Sequence, residues 1–167
     1  MKICLAFTLL LVTAADCQVP RDRNGMKHST RIVFVCEHGA ALSVVSAAYF
    51  NKIAREEHLQ MHAIARGITP QKGLAVSARD GLKTDGVPFE TRKPQALSIK
   101  DAAQARRIVA FSSIPSRYMA TAPVETWDDV PPTAANYGLA RNAILKHLRK
   151  LIQKLKAEDE KEEAGNR

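Results

Sequence analysis

The stretch from Arg31 to Phe50 constrains the fold of this chain more than any other. Residues 31–35 form a short apolar run rich in β-branched side chains, which predicts a buried strand. Residues 44–54 contain no Gly or Pro and carry several small and apolar side chains, which predicts a helix. Cys36 and a short loop with a central Gly39 lie between them. A strand, a tight loop and a helix in succession favour an α/β fold.

The loop between this strand and this helix is predicted to bind an anion. It brings backbone N–H groups and the positive end of the helix dipole to one point, which is the geometry of phosphate-binding loops. The same field stabilises a thiolate, so Cys36 is predicted to be reactive. The sequence therefore indicates a site for phosphate or a similar oxyanion beside a nucleophilic sulfur.

The remainder of the chain continues the alternation of strands and helices. Further strands are predicted at about 61–66, 107–111 and 123–127, and further helices at 73–85, 99–106 and 133–156. This alternation predicts a three-layer α/β fold, in which a four-stranded parallel sheet has helices on both faces. Ligands bind outside the carboxyl ends of the strands in such sheets, which would place Ser112 and Ser113 on the ligand side unless they are simply turn residues.

Length and charge limit the classes of protein and partner. At 167 residues the chain is long enough for one domain with a proper core. The formal net charge of +8 favours anionic partners, including phosphate, nucleic acid and acidic lipid, without selecting among them. Aromatic and basic residues do not alternate as they do in nucleic-acid-binding segments, so no nucleic-acid partner is expected.

The N-terminus has the pattern of a secretory signal peptide. A positive start at Lys2 precedes an apolar run over residues 3–15, and small residues precede a cleavage point before Gln18. The run is too short for a stable membrane span, and the alternative is a buried first strand or helix. We therefore expect an exported protein, periplasmic or secreted. The expected organisation is a signal peptide at 1–17, a flexible leader at 18–30, a folded domain at 31–156 and a frayed or disordered charged tail at 157–167.

The loop resembles that of a known family, the low-molecular-weight protein tyrosine phosphatases and the arsenate reductases that share their fold. The family signature is a strand ending in Cys, five loop residues, Arg, and then Ser or Thr at the start of a helix. Here Cys36 matches the nucleophile and Ser43 the hydroxyl that supports its thiolate. Gly39 matches a position where the family often has Asn with positive φ, which glycine adopts without steric cost. The arginine position holds Leu42, which offers no donor to the phosphoryl oxygens.

The resemblance implies further site residues. Backbone N–H groups of the loop would hold the oxyanion, so the expected phosphate-binding residues are Glu37, His38, Gly39, Ala40, Ala41, Leu42 and Ser43. Arg66 falls near the loop and could partly replace the missing arginine, although an exposed arginine at a strand end is the more frequent outcome. The family carries its general acid on an Asp in a late, proline-containing loop. Asp129 matches this position best and Asp128 next, the alternative being an acidic turn before a helix.

Three functions remain open on these residues. The first is an exported phosphatase-like enzyme that hydrolyses a phosphorylated small molecule or protein weakly, through a Cys36 thiophosphate. The second is a module of the same fold that binds an oxyanion or a phosphorylated partner without turnover, and the third is a redox-responsive thiol protein. Arsenate reduction by a thiol relay is disfavoured, because removing the signal peptide would leave Cys36 as the one cysteine. No cofactor is implied, and a metal site at Cys36, Glu37 and His38 is not expected because adjacent loop residues rarely converge on one ion.

Overall fold

The structure, a computed structural model, describes residues 30–165. The strands are β1 (Arg31–Cys36), β2 (His62–Gly67), β3 (Ala105–Ala110) and β4 (Val124–Thr126), and the longer helices are α1 (Leu42–Glu56), α2 (Val76–Thr84), α3 (Ile99–Ala103) and α4 (Tyr137–Gly165). The predicted signal peptide and nearly all of the predicted leader lie outside the described residues. Within residues 30–165, no helix has the length and apolar character needed to cross a membrane.

The four strands lie parallel in one sheet of order β2-β1-β3-β4, which confirms the predicted α/β class. The chain adds β2 on one side of β1 and then returns to add β3 on the other. The carboxyl end of β1 is therefore the point where the strand order reverses, and open α/β sheets bind ligands at that point. The side chains of residues 32–35 are fully buried, as expected of a central parallel strand that is covered on both faces.

Helices cover both faces of the sheet, which confirms the prediction of three layers. Successive side chains of a strand point to opposite faces, and β1 divides its side chains in this way. Ile32 and Phe34 pack in one core with α1, α2 and α4. Val33 and Val35 pack in a second core with α3. Cys36 continues the alternation and therefore lies on the α1 face of the sheet.

The structure corrects the bounds of two predicted helices. The helix predicted over 99–106 ends early, at the end of α3, because the chain there has already joined the sheet: Ala105 is paired with the first residue of β1. The helix predicted over 133–156 begins later, at the start of α4. There the Asn136 side chain accepts a hydrogen bond from the Leu139 N–H at 3.0 Å, which is the contact of an N-cap.

The predicted charged tail is also corrected, because α4 continues through it to Gly165. Ion pairs with β3 hold this part of the helix. Arg107 Nη2 lies 2.7 Å from Glu158 Oε1, and Arg106 pairs with both Glu158 and Asp159. Two of the acidic side chains that suggested a frayed tail, Glu158 and Asp159, therefore attach this part of α4 to the sheet.

Candidate functional site

Cys36 is the last residue of β1, and its sulfur lies beside the first turn of α1. The residue is 7% exposed, and its Sγ is 3.1 Å from Ser43 Oγ. A hydroxyl at this distance donates a hydrogen bond to a thiolate, and charged acceptors strengthen such bonds. The structure thus brings together the two residues that the family signature pairs.

The start of α1 offers unpaired backbone donors close to this sulfur. Ala41 occupies the N-cap position and has no side-chain atom that could accept a hydrogen bond from the first turn. The first N–H groups of a helix have no partner within the helix, and the helix dipole favours an anion at the same end. The first turn can therefore bind an oxyanion placed over Cys36.

Two glycines hold the loop against the neighbouring strand. Gly39 has a φ of +61°, in the left-handed region that favours glycine. A Cβ on Gly39 would lie 2.7 Å from the backbone nitrogen of Gly67, so no larger side chain fits between the loop and the end of β2. The Thr69 N–H then donates to the Glu37 carbonyl oxygen at 2.8 Å. The loop is therefore held in place by the segment that follows β2.

A cavity of about 420 Å³ opens above the loop, a volume in the range of small-molecule sites. Loop residues between 36 and 42 form its floor. Its walls come from Phe111 and Ser112 after β3, from residues 132–134 before α4, and from three residues between 71 and 77. Ser112 thus lies on the ligand side, as its place after a strand suggests. Alanine, leucine, phenylalanine and proline side chains make most of the wall apolar.

Leu42 is the first residue of α1 and lines this cavity. It occupies the position at which the resembling family has an arginine. None of the described residues that line the cavity is Lys or Arg. An oxyanion over Cys36 would therefore be held by backbone N–H groups and hydroxyls rather than by a guanidinium fork.

The structure corrects the expectation that Arg66 reaches the loop. Arg66 is paired with Val35 in the sheet, so its side chain points to the face opposite Cys36. There its Nε lies 2.9 Å from Asp101 Oδ2 and its Nη2 lies 3.1 Å from Asp101 Oδ1. Burial alone would raise the pKa of Asp101, but hydrogen bonds from Arg66 and Ser98 outweigh it and hold that pKa below its usual value. Arg66 therefore neutralises a carboxylate instead of replacing the missing arginine.

Arg66→Ala is accordingly expected to lower stability and to leave phosphate binding unchanged. The arginine and aspartate side chains are only 18% and 13% exposed, so removing the arginine leaves a largely buried carboxylate without its partner. Loss of one member of such a pair costs about 3 kcal/mol. Urea unfolding measures the first effect, and a phosphate titration of the folded variant measures the second. Weaker phosphate binding by the folded variant would show that Arg66 does contribute to the phosphate site.

The two candidate acids, Asp129 and Asp128, do not line the cavity that contains Cys36. Asp129 Oδ1 is 2.7 Å from Nε2 of His147, and this hydrogen bond holds the pKa of Asp129 below its usual range. His147 in turn stacks on the buried Trp127 ring, with 4.7 Å between the ring centroids. Asp128 is exposed and does not line the cavity. Because Trp127 is anchored in the core, the chain reaches the cavity only farther on, at residues 132–134.

The structure places among the lining residues an acidic residue, Glu37, to which the sequence pattern assigned only a backbone role. Glu37 directly follows Cys36 and, among residues 30–165, is the only Asp or Glu that lines the cavity. His38 lines the same cavity, with its Nδ1 3.2 Å from the Thr69 carbonyl oxygen. The sequence contained a signal for this, because two ionisable residues, Glu37 and His38, directly follow the candidate nucleophile. In the part of the chain that the structure describes, no group of three Cys, His, Asp or Glu residues could hold a metal ion.

Comparisons with known proteins give matches only in structure. No family model and no curated protein sequence matches this chain. YfkJ from Bacillus subtilis superposes with a TM-score of 0.69 at 17% identity, over 80% of this chain and 99% of that one. The low-molecular-weight protein tyrosine phosphatase from Streptococcus pyogenes gives 0.64 at 13% identity, over 75% and 93% of the two chains. An arsenate reductase from Archaeoglobus fulgidus gives 0.55 at 23% identity, over 74% and 97%. The chain therefore has the fold shared by low-molecular-weight protein tyrosine phosphatases and arsenate reductases, as its cysteine loop suggests.

Proposed function

We propose that this protein binds the phosphoryl group of phosphate monoesters over Cys36 and hydrolyses them slowly. The observation that carries the proposal is the position of the Cys36 sulfur at the carboxyl end of β1. It lies 3.1 Å from Ser43 Oγ and next to the first turn of α1. A nucleophile, an anion-binding helix start and a cavity of small-molecule size meet at this one point.

The geometry supports a two-step reaction. The Cys36 thiolate attacks phosphorus, while N–H groups of the loop and of the first turn of α1 hold the phosphoryl oxygens. Water then attacks the thiophosphate, and Ser43 stabilises the departing thiolate by donating its hydroxyl hydrogen. Leu42 adds no charge to either transition state, which is the physical reason for expecting slow turnover.

Two other structures with this fold support phosphoryl chemistry as the proposed role. One is an arginine phosphatase, YwlE, with a phosphorylated active-site serine, and the other is an arsenate reductase in a phosphate-binding state. They are 17% and 12% identical to this chain. At such low sequence identity they support only the class of ligand, a phosphoryl group or a similar oxyanion.

Protection of Cys36 from alkylation tests the binding step. Phosphate bound in the cavity would lie between the sulfur and iodoacetamide, so saturating inorganic phosphate should slow modification of Cys36 several-fold. Mass spectrometry of the peptide that contains Cys36 measures this rate separately from any other thiol. Potassium chloride at the same ionic strength is the control. Equal rates in phosphate and chloride would contradict the proposal.

A binding module without turnover is the second candidate. It is favoured by the described lining of the cavity (within residues 30–165), which includes neither an arginine nor either of the candidate aspartates. Hydrolysis of an aryl phosphate separates the two candidates. Turnover that Cys36→Ser abolishes supports the enzyme, whereas protection by phosphate without any turnover supports the module.

We further propose that the protein is exported. The support is the pattern of residues 1–17, which has a positive start, an apolar run and small residues before the expected cleavage point. N-terminal sequencing of protein purified from its native cell should find a chain that begins near Gln18. An intact Met1 in a cytoplasmic fraction would contradict export.

A further inference from the structure

We propose that Glu37 is the acid that protonates the leaving oxygen when Cys36 attacks a phosphate ester, a role that rests on the hydrolysis proposed above. In the part of the chain that the structure describes, Glu37 is the only Asp or Glu that lines the cavity over Cys36. Its Cα is one peptide unit, about 3.8 Å, from the Cα of the nucleophile. Glu37 and the nucleophile are therefore neighbours in the lining of the same cavity.

The surroundings of Glu37 suit a group that transfers protons. Its backbone is held, because its carbonyl oxygen accepts from the Thr69 N–H at 2.8 Å and the next carbonyl accepts from the Gln71 N–H at 3.2 Å. The residue is exposed and lines the cavity. Among residues 30–165 no ion pair or hydrogen bond occupies its carboxyl group. A fixed backbone with an uncommitted carboxyl group leaves Glu37 able to turn towards a bound ester.

The other ionisable groups near the cavity are less suited to this role. Asp129 is hydrogen-bonded to His147 and lies outside the cavity. His38 places its Nδ1 3.2 Å from the Thr69 carbonyl oxygen, so that side of the ring already has a partner.

The proposed steps balance in atoms and protons. The Cys36 thiolate forms the S–P bond as the ester P–O bond breaks, and Glu37 gives its proton to the leaving oxygen and becomes a carboxylate. In the second step a water oxygen forms a bond to phosphorus, and the Glu37 carboxylate takes the proton that the water loses. The S–P bond breaks and its electron pair returns to sulfur, so the thiolate and the protonated Glu37 are both regenerated.

The dependence of rate on the leaving group tests this role. Phenol is about as weak an acid as the tyrosine side chain, with a pKa of about 10, so phenyl phosphate needs a proton donor. The nitrophenolate of p-nitrophenyl phosphate leaves without much help. Glu37→Gln should therefore lower kcat/KM about a hundredfold for phenyl phosphate and less than about threefold for p-nitrophenyl phosphate. Glu37→Asp should recover part of the loss, and Glu160→Gln, on the exposed end of α4, should change neither rate.

Any other result of these kinetic measurements contradicts the proposed role of Glu37. Equal losses on both substrates would make Glu37 a structural residue. A loss confined to phenyl phosphate in His38→Asn or Asp129→Asn, and absent from Glu37→Gln, would assign the acid to that residue. A natural protein that hydrolyses neither ester while phosphate still protects Cys36 would leave only the binding function. If phosphate also failed to protect Cys36, the proposed function itself would fail, so the two failures are distinguishable.

Discussion

Leu42→Arg is expected to raise kcat/KM for an aryl phosphate about a hundredfold over that of the natural protein. An arginine at the first position of α1 would extend from the wall that Leu42 now forms and would donate two charge-assisted hydrogen bonds to the phosphoryl oxygens. Such bonds strengthen as charge develops in the transition state and are worth on the order of 3 kcal/mol. Arg66 cannot already supply this charge, because it is bound to Asp101 on the opposite face of the sheet.

Steady-state kinetics of the natural protein and its variants decides this prediction. Cys36→Ser should abolish turnover both in the natural protein and in the Leu42→Arg variant, which ties the gain to the proposed nucleophile. Leu42→Lys is the matched control, because it adds the charge without the planar fork and should gain less. A folded Leu42→Arg variant that still binds phosphate but gains no rate would contradict the prediction. The binding module would then be the better function.

Gly39→Ala should lower the free energy of unfolding by about 2–4 kcal/mol and remove phosphate binding. Its φ of +61° strains any residue with a side chain, and the added Cβ would lie 2.7 Å from the Gly67 nitrogen. The loop would have to move away from β2. That movement would turn its N–H groups away from the point over Cys36.

Two further alanine substitutions test whether the contact between Gly39 and Gly67 causes the loss of stability and of phosphate binding. Gly67→Ala creates the same overlap from the other side, with its Cβ 2.7 Å from the Gly39 nitrogen, and should lose phosphate binding too. Gly73→Ala is the matched control, because a Cβ there would meet nothing within 4 Å. Urea unfolding and the alkylation assay measure stability and binding in each variant. A Gly39→Ala protein as stable as Gly73→Ala would show that the loop is not held against β2 in this way.

Local patterns in the sequence were sufficient for the architecture. The four strands lie within two residues of their predicted bounds. β1 and β3 are mostly buried, and the burial of their apolar residues does not depend on which strand pairs with them. The cysteine loop was equally local, since the backbone of a strand, a tight turn and a helix start places Cys36 and Ser43 together. The sequence did not predict helix ends that depend on contacts with distant side chains. The end of α4 is the main example, where the ion pairs of Glu158 and Asp159 depend on β3.

The sequence by itself determined the fold class, the site at the end of β1 and the lack of an arginine at Leu42. Only the tertiary structure decided which other side chains belong to that site. In the neighbouring strand Arg66 is paired with Val35, and Gly67 is paired with Cys36. Because successive side chains of a strand point to opposite faces, this register turns Arg66 away from Cys36. Asp129 lies in the segment that leads to the cavity, but burial of Trp127 turns it towards His147. Those outcomes depend on strand register and core packing between distant segments, which no local pattern in the chain contains.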